Sequence, residues 1–188
     1  MQQDDSFLIA QSIRGDRSAF GELVRRHQDR LYNTVYRLLG NADDAQDCVQ
    51  DSFLSAYQSL HQFKGDARFF TWLYRIAVNA AISMKRKHRL VLRADVPVAG
   101  RTAAEPLDDS EASQPGLALE REEEEKRLQD ALNLLTPEHR TVLVLKDIEG
   151  HKYEVIAGML EVPIGTIRSR LHRARLELRD RLQATEPA

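Results

Sequence analysis

Residues 153–182 read YEVIAGML, then EV, then PIGTIRSRLHRARLELRDRL, and this stretch decides the fold. Tyr153 to Leu160 is long enough for two helical turns, Glu161 and Val162 interrupt it, and Pro163 can open a second helix through about Leu182. On that helix Ile164, Ile167, Leu171, Ala174 and Leu178 recur at spacings of three and four, so they form an inward stripe. Arg168, Ser169, His172 and Arg173 are thereby turned outward. The pattern is a helix-turn-helix whose second helix presents cations to a partner. An outward arginine can bond guanine O6 and N7 bidentately while its neighbours hold phosphates. Periodicity alone leaves a solvated basic helix open as the alternative. The turn position that usually takes glycine is Glu161, where a left-handed backbone costs about 1 kcal/mol.

Upstream, Leu128, Leu132 and Leu135 precede Thr136-Pro137-Glu138, which supplies a cap, an N1 proline and a first-turn acid for another helix. Further back, residues 95–119 contain Pro97, Gly100, Pro106, Pro115 and Gly116 and no aromatic residue, the composition of a tether. The chain of 188 residues therefore divides into domains at 1–94 and 120–188. Both are expected to be helical, because no alternating strand pattern persists. In the first, Asp16 can cap a helix bearing Phe20, Leu23, Leu31, Val35 and Leu38, with Gly40 and Asn41 ending it. The next helix is expected to bury Ala45, Val49, Phe53, Ala56 and Leu60. The fold class is all-α, two small helical domains on a flexible acidic linker.

Five of twelve aromatic residues, Phe63, Phe69, Phe70, Trp72 and Tyr74, fall within twelve positions, interleaved with Lys64, Arg68 and Arg75. On a helix Arg68, Arg75, Asn79 and Arg86 lie within about 40° of one another. Phe69, Trp72, Ile76, Ala80 and Met84 are expected to form the packed side. Cations beside aromatic rings suit single-stranded DNA, whose bases stack on rings for roughly 1 to 3 kcal/mol each. Most of these rings could equally be core. Asp44, Asp47 and Asp51, at i, i+3 and i+7, set three like charges on one helix face, a cost that a basic partner would relieve. A solvated acidic face is the alternative.

The net charge of −2 conceals this segregation. Residues 85–93 carry +5, residues 95–125 carry −8 and residues 163–182 carry +4. Other features exclude chemistries. The nine glycines are never closer than six apart, so GxGxxG and GxxxxGK are absent. The six histidines form no HxxxH pair, and one cysteine, Cys48, can form neither an internal disulfide nor a thiolate zinc site. There is no GxSxG. No metal, cofactor or catalytic residue is expected, and the chain is not expected to be an enzyme. The longest aliphatic run, Val142 to Leu145, is far short of the ~20 apolar residues that span a bilayer, so no membrane insertion is expected. The acidic residues 1–5 lack the basic start of a secretory signal. With a lone cysteine, this fits a cytoplasmic protein.

Two long motifs carry a family resemblance. The run LNLLTPEHR at 132–140, YEVIA at 153–157 and VPIGTIRSRLHRAR at 162–175 resembles region 4 of bacterial extracytoplasmic-function, or group 4, sigma factors. FKGDA at 63–67 and TWLYRIAVN at 71–79 resemble region 2 of the same family, and DDAQDCVQDSF at 43–53 resembles its polymerase-docking helix. The resemblance implies a factor that directs RNA polymerase to promoters in the bacterial nucleoid. Thr166, Arg168, Ser169, Arg170, His172 and Arg173 would then contact −35 DNA. Phe63, Lys64, Gly65, Arg68, Arg75, Asn79, Lys85, Arg86 and Lys87 would hold −10 DNA, with the 63–67 loop taking a flipped base. Position 70 often carries a basic residue in the family and is Phe here, so no phosphate contact is assigned to it. Asp44, Asp47, Gln50 and Asp51 would dock on the beta-prime clamp helices of core polymerase, and region 4 on the beta flap. An anti-sigma protein is a further partner that the resemblance allows. Elements about 17 base pairs apart lie roughly 58 Å apart, while a flexible coil of about 25 residues averages only about 28 Å. The tether is therefore expected to be extended and ordered by polymerase. The alternatives are a helix-turn-helix regulator that binds only double-stranded DNA and a helical interaction protein.

Overall fold

The computed structural model describes residues 4–93 and 115–184, with side chains for 4–87, 121 and 123–183. Among the described residues every regular element is helical. The elements are α1 (Asp5–Ile13), α2 (Arg17–Leu39), α3 (Ala42–Ser59), a 3₁₀ turn (Leu60–Gln62), α4 (Phe69–Arg93), α5 (Pro115–Asn133), α6 (Pro137–Leu143), a π-helical turn (Val144–Ile148), α7 (Tyr153–Leu160) and α8 (Ile164–Ala184). They fall into two compact units, one built on α1 to α4 without residues 37–42 and one on α5 to α8 together with residues 37–42. Because α5 begins at Pro115, residues 115–119 are helical rather than part of a tether. The rest of the expected tether, with its ordering, lies outside the described residues.

In the first unit Asp16 caps α2 as its position suggests. One carboxylate oxygen accepts from the Ser18 hydroxyl at 2.7 Å and from the amides of Ser18 and Ala19 at 2.9 and 3.3 Å. These donors, the Ser18 hydroxyl foremost, hold the Asp16 carboxyl below its ordinary pKa. Leu23, Leu31 and Val35 are fully buried, and Phe20 and Leu38 nearly so, the stripe that the spacing requires. On α3 Ala45, Phe53 and Ala56 are buried, with Leu60 in the following turn, while Val49 is only half-buried. Sequence reading gave no helix to residues 5–13. The side chain of Asp5 ties α1 down, accepting from the Arg26 guanidinium at 3.2 Å and facing His27 Nε2 at 2.8 Å.

The packed side of α4 is a correction. Phe69, Leu73, Tyr74, Ala77, Val78 and Ala81 are buried, whereas Trp72, Ile76, Ala80 and Met84 are half-buried. At 100° per residue the observed face is rotated by about 90° from the expected one. The rotation sets the core almost diametrically opposite Arg68, Arg75, Asn79 and Arg86. That phase leaves Arg68, Arg75 and Arg86 exposed, which is the cheaper arrangement because buried charge is costly.

The second unit packs α5, α6 and α7 around α8. Leu132, Val142, Leu145, Ile156, Ile167 and Ala174 are fully buried at its centre. Thr136 caps α6 by accepting the His139 amide at 3.3 Å, with Pro137 and Glu138 in the first turn. Polar ties fasten α8 from outside, among them one from Arg127 of α5 to the Leu182 carbonyl at 2.8 Å. Arg175 grips Asp147 through two bonds of 2.6 and 2.8 Å, and His139 Nδ1 lies 2.9 Å from Glu177.

Candidate nucleic-acid and polymerase interfaces

The carboxy-terminal surface follows from the register of α8. Ile167, Leu171 and Ala174 face inward, so Arg168, Ser169, His172 and Arg173 are exposed on one side of the helix, with Thr166 and Arg170 half-buried beside them. The carbonyl of Pro163 accepts from the Thr166 and Ile167 amides at 2.9 and 3.2 Å. Pro163 therefore caps α8 rather than opening it. The preceding turn closes through Glu161, which adopts φ 56° and ψ 41°, with the Val162 amide donating to the Ala157 carbonyl at 3.2 Å. The sequence did flag this left-handed position.

Two residues at this surface escaped sequence reading. Tyr153, the first residue of α7, sits under two cations, with Lys146 Nζ 4.9 Å and the Arg168 guanidinium carbon 5.7 Å from its ring centroid. Lys146 also donates to the His151 carbonyl at 3.1 Å. It reaches there because the backbone widens into a π-helical turn, in which the Glu149 amide bonds the Val144 carbonyl five residues back at 3.0 Å. The available signal was a tyrosine on the helix preceding a basic recognition helix.

The amino-terminal surface begins at the loop of residues 63–68. Phe63 is half-buried, edge-on to Phe69 at 6.1 Å and tilted against Trp72 at 5.3 Å. Lys64, Gly65 and Arg68 are exposed, and Gly65 holds φ +78°, a conformation that L side chains rarely adopt. The Arg68 carbonyl caps α4, accepting from the Thr71 and Trp72 amides at 2.9 and 3.2 Å. Along α4, Arg75, Asn79, Arg86 and Lys87 are exposed and Lys85 is half-buried. The side chains of Arg89 and Arg93 lie outside the described residues. The loop and the cationic side of α4 are thus joined end to end through Arg68.

On α3, Asp47, Gln50 and Asp51 are exposed and Asp44 is half-buried. Helical spacing puts Leu54 in line with this acidic face, one turn beyond Asp51, and Leu54 is 55% exposed. Beside it lies an apolar cleft of about 320 Å³ lined by Arg17, Phe20, Phe53, Leu54 and Tyr57. The acidic spacing was legible, but the apolar end of the stripe was not anticipated. An acidic stripe that ends in an exposed leucine fits a basic, partly apolar helix.

A two-unit helical chain with a helix-turn-helix in one unit and an aromatic, cationic helix in the other is the class of the sigma-70 proteins. Residues 23–91 match the sigma-70 region 2 model, and residues 125–178 match that of sigma-70 region 4. The RNA polymerase sigma-H factor of Pseudomonas aeruginosa is 36% identical over 97% of this chain and 95% of its own length. Among solved structures, the sigma factor RpoE of Bartonella quintana, in complex with the anti-sigma factor NepR, gives a TM-score of 0.68 at 26% identity over 89% of this chain and 98% of that one. CnrH, solved with the cytosolic domain of CnrY, gives 0.66 at 28% identity over 97% and 99%. The chain belongs to the extracytoplasmic-function RNA polymerase sigma factors. As a sigma factor it directs RNA polymerase to promoters, which sets aside the double-strand-only regulator and the interaction protein. Among the described residues no helix is long and apolar enough to cross a membrane.

Proposed function

We propose that this sigma factor divides promoter recognition and polymerase docking among three surfaces of its two domains, the second of which begins with α5 at Pro115. The observation that carries the reading is the opposition on α4 between a buried apolar face and an exposed cationic one, continuous with the Phe63 loop. The loop of Phe63, Lys64 and Gly65 takes an unstacked −10 base. Arg68, Arg75 and Asn79 hold the melted strand, and Lys85, Arg86 and Lys87 hold adjoining phosphates. Flipping a base costs a few kcal/mol of stacking, so a pocket that restacks it drives local opening without ATP. Thr166, Arg168, Ser169, Arg170, His172 and Arg173 read the −35 duplex, supported by Tyr153 and Lys146.

Asp44, Asp47, Gln50 and Asp51, with Leu54 at the end of their stripe, dock on the beta-prime clamp helices, and the second domain meets the beta flap. The chemistry of RNA synthesis belongs to polymerase, so this chain contributes binding and no catalytic group. It acts in the cytoplasm at the nucleoid. By likeness to RpoE and CnrH, an anti-sigma protein is a further partner.

Run-off transcription with purified core polymerase and a promoter library tests the reading. Promoter-specific initiation that is lost in Phe63→Ala and Asn79→Ala, with core binding retained, supports it. Specific initiation that survives both substitutions overturns the −10 assignment.

A further inference from the structure

Helix α1 lies outside the motifs of the first unit and outside residues 23–91, which match the region 2 model. It nevertheless reaches the Phe63 loop by two routes. Along the backbone, α1 packs against the 3₁₀ turn Leu60–Gln62, and Leu8, Ile9 and Leu60 are all buried. That turn runs straight into the loop, where the Phe63 amide donates to the Leu60 carbonyl at 3.1 Å. Through side chains, the Asp5 carboxylate lies 2.8 Å from His27 Nε2. The His27 ring meets the Phe69 ring at 5.5 Å, and Phe69 meets Phe63 edge-on at 6.1 Å. Trp72 closes the set, 6.0 Å from Phe69 and 5.3 Å from Phe63.

Each contact in the second route constrains the next. An ionised carboxylate only accepts, so His27 Nε2 donates to Asp5, and the bond fixes the rotation of the imidazole ring. Asp5 is itself anchored on α2, where it accepts from Arg26 at 3.2 Å while Arg26 bonds Glu22 at 3.0 Å. Phe69, against which His27 is held, is 3% exposed. A ring packed that closely transmits a displacement rather than absorbing it. Phe63, next in line, is half-buried. Within the loop Gly65 brings no side chain to brace it, so the brace comes from outside. A ring that is to stack on an incoming base gives up less freedom if it is already held in place.

We propose that Asp5 and His27 are positioning residues for −10 recognition: α1, fastened to α2 by Asp5, sets the Phe63 ring through His27 and Phe69 and so sharpens the choice of base in the loop. The inference rests on the −10 reading above and adds to it a helix that acts through the loop rather than on DNA.

The test uses holoenzyme assembled from the full chain and core polymerase. The probes are labelled fork DNAs from a promoter that initiates in the run-off assay, carrying each base in turn along the single-stranded −10 segment. The readout is base discrimination, the ratio of affinities for the best and the worst base, at the nucleotide where Phe63→Ala removes it. Partial unfolding lowers the active fraction alike for every probe and leaves this ratio unchanged, so the ratio separates positioning from stability. Asp5→Ala and His27→Ala are each expected to reduce the ratio about 2- to 10-fold. Asp5→Asn, which keeps an oxygen acceptor for His27, is expected to restore most of it. Asp5→Ala combined with His27→Ala is expected to match His27→Ala alone, because the two act in series; additive losses would overturn the route through His27. If His27→Ala fails to fold, Asp5→Ala and Asp5→Asn decide. A parental ratio in Asp5→Ala, even with a lowered Tm, overturns the proposal and leaves α1 a merely structural helix. If Phe63→Ala removes discrimination at no −10 nucleotide, the −10 reading itself fails and the proposal fails with it.

Discussion

Arg168 on the recognition helix lies over the ring of Tyr153 on the helix before it, its guanidinium carbon 5.7 Å from the ring centroid, with Lys146 at 4.9 Å on the same ring. One aromatic side chain thus aims two cations. Exposed contacts of this kind contribute about 0.5 to 1 kcal/mol. Tyr153→Leu is therefore expected to weaken −35 duplex binding by holoenzyme about 2- to 5-fold. Arg168→Ala, which removes the proposed reading group, is expected to cost about 1 to 3 kcal/mol and to relax base preference at one position. Titrating duplexes with every substitution across the −35 element checks both. A Tyr153→Leu protein that binds all duplexes as the parent does would show that the ring does not aim Arg168.

The acidic face of α3 has two parts that salt can separate. In the proposed docking Asp47 and Asp51 would act through charge, whereas Leu54, 55% exposed, would act by burial. Asp47→Lys with Asp51→Lys is expected to weaken core-polymerase binding about 10-fold or more in low salt, because like charges across an interface cost several kcal/mol. The deficit should shrink as salt rises. Leu54→Ala should give a smaller loss that persists in high salt. Surface binding of the labelled factor to immobilised core polymerase measures both, and unchanged binding of the double variant removes the clamp assignment.

What could be read from the chain depended on whether one constraint or several acted on a segment. On α8 a single apolar stripe, Ile167, Leu171 and Ala174, opposes a run of arginines, so only one rotation of the helix is compatible with burial. On α4 two apolar stripes compete. Trp72, Ile76, Ala80 and Met84 form one, Leu73, Ala77 and Ala81 another, and hydrophobicity alone does not choose between them. The four residues Arg68, Arg75, Asn79 and Arg86 do choose, because the core must lie opposite them. The π-helical turn at Val144–Ile148 has no glycine or proline within it to mark it. Its Asp147 and Lys146 are fastened by Arg175 and His151, partners set by tertiary structure. The Asp5–His27 tie escaped for the same reason, being a contact between two helices across 22 positions.

Glu161 carries a measurable backbone cost. Its φ of 56° places an L residue in the left-handed region at the turn between α7 and α8. That conformation costs about 1 to 2 kcal/mol, against about 0.5 to 1 kcal/mol of extra chain entropy that a glycine loses on folding. Glu161→Gly is expected to stabilise the second unit by about 0.5 kcal/mol, a rise in Tm of about 2 to 4 °C. Glu161→Val, β-branched, should lower it. Thermal unfolding followed by circular dichroism gives the sign, and a Tm that falls in the glycine variant contradicts the assignment.

Cys48 is fully buried on α3, its thiol 3.8 Å from the Ala77 carbonyl on α4. Burial pushes the thiol from its ordinary value near 9 up to about 11, with nearby Asp51 and Asp44 adding to the rise. Between those values the folded protein keeps a proton that the unfolded chain has released. The thiol's contribution to stability is therefore complete below about pH 9 and is lost as pH rises toward about 11. Lysines and tyrosines also titrate in this range, so the measurement is a difference. Urea unfolding of the native sequence and of Cys48→Ala, at intervals from neutral pH upward, should show the gap between them narrowing above about pH 9. A disulfide reagent should label native Cys48 only as fast as the first unit opens, and at once in urea. A gap that stays constant with pH, or rapid labelling of the native protein, would show that the thiol reaches solvent and that α3 and α4 do not close over it.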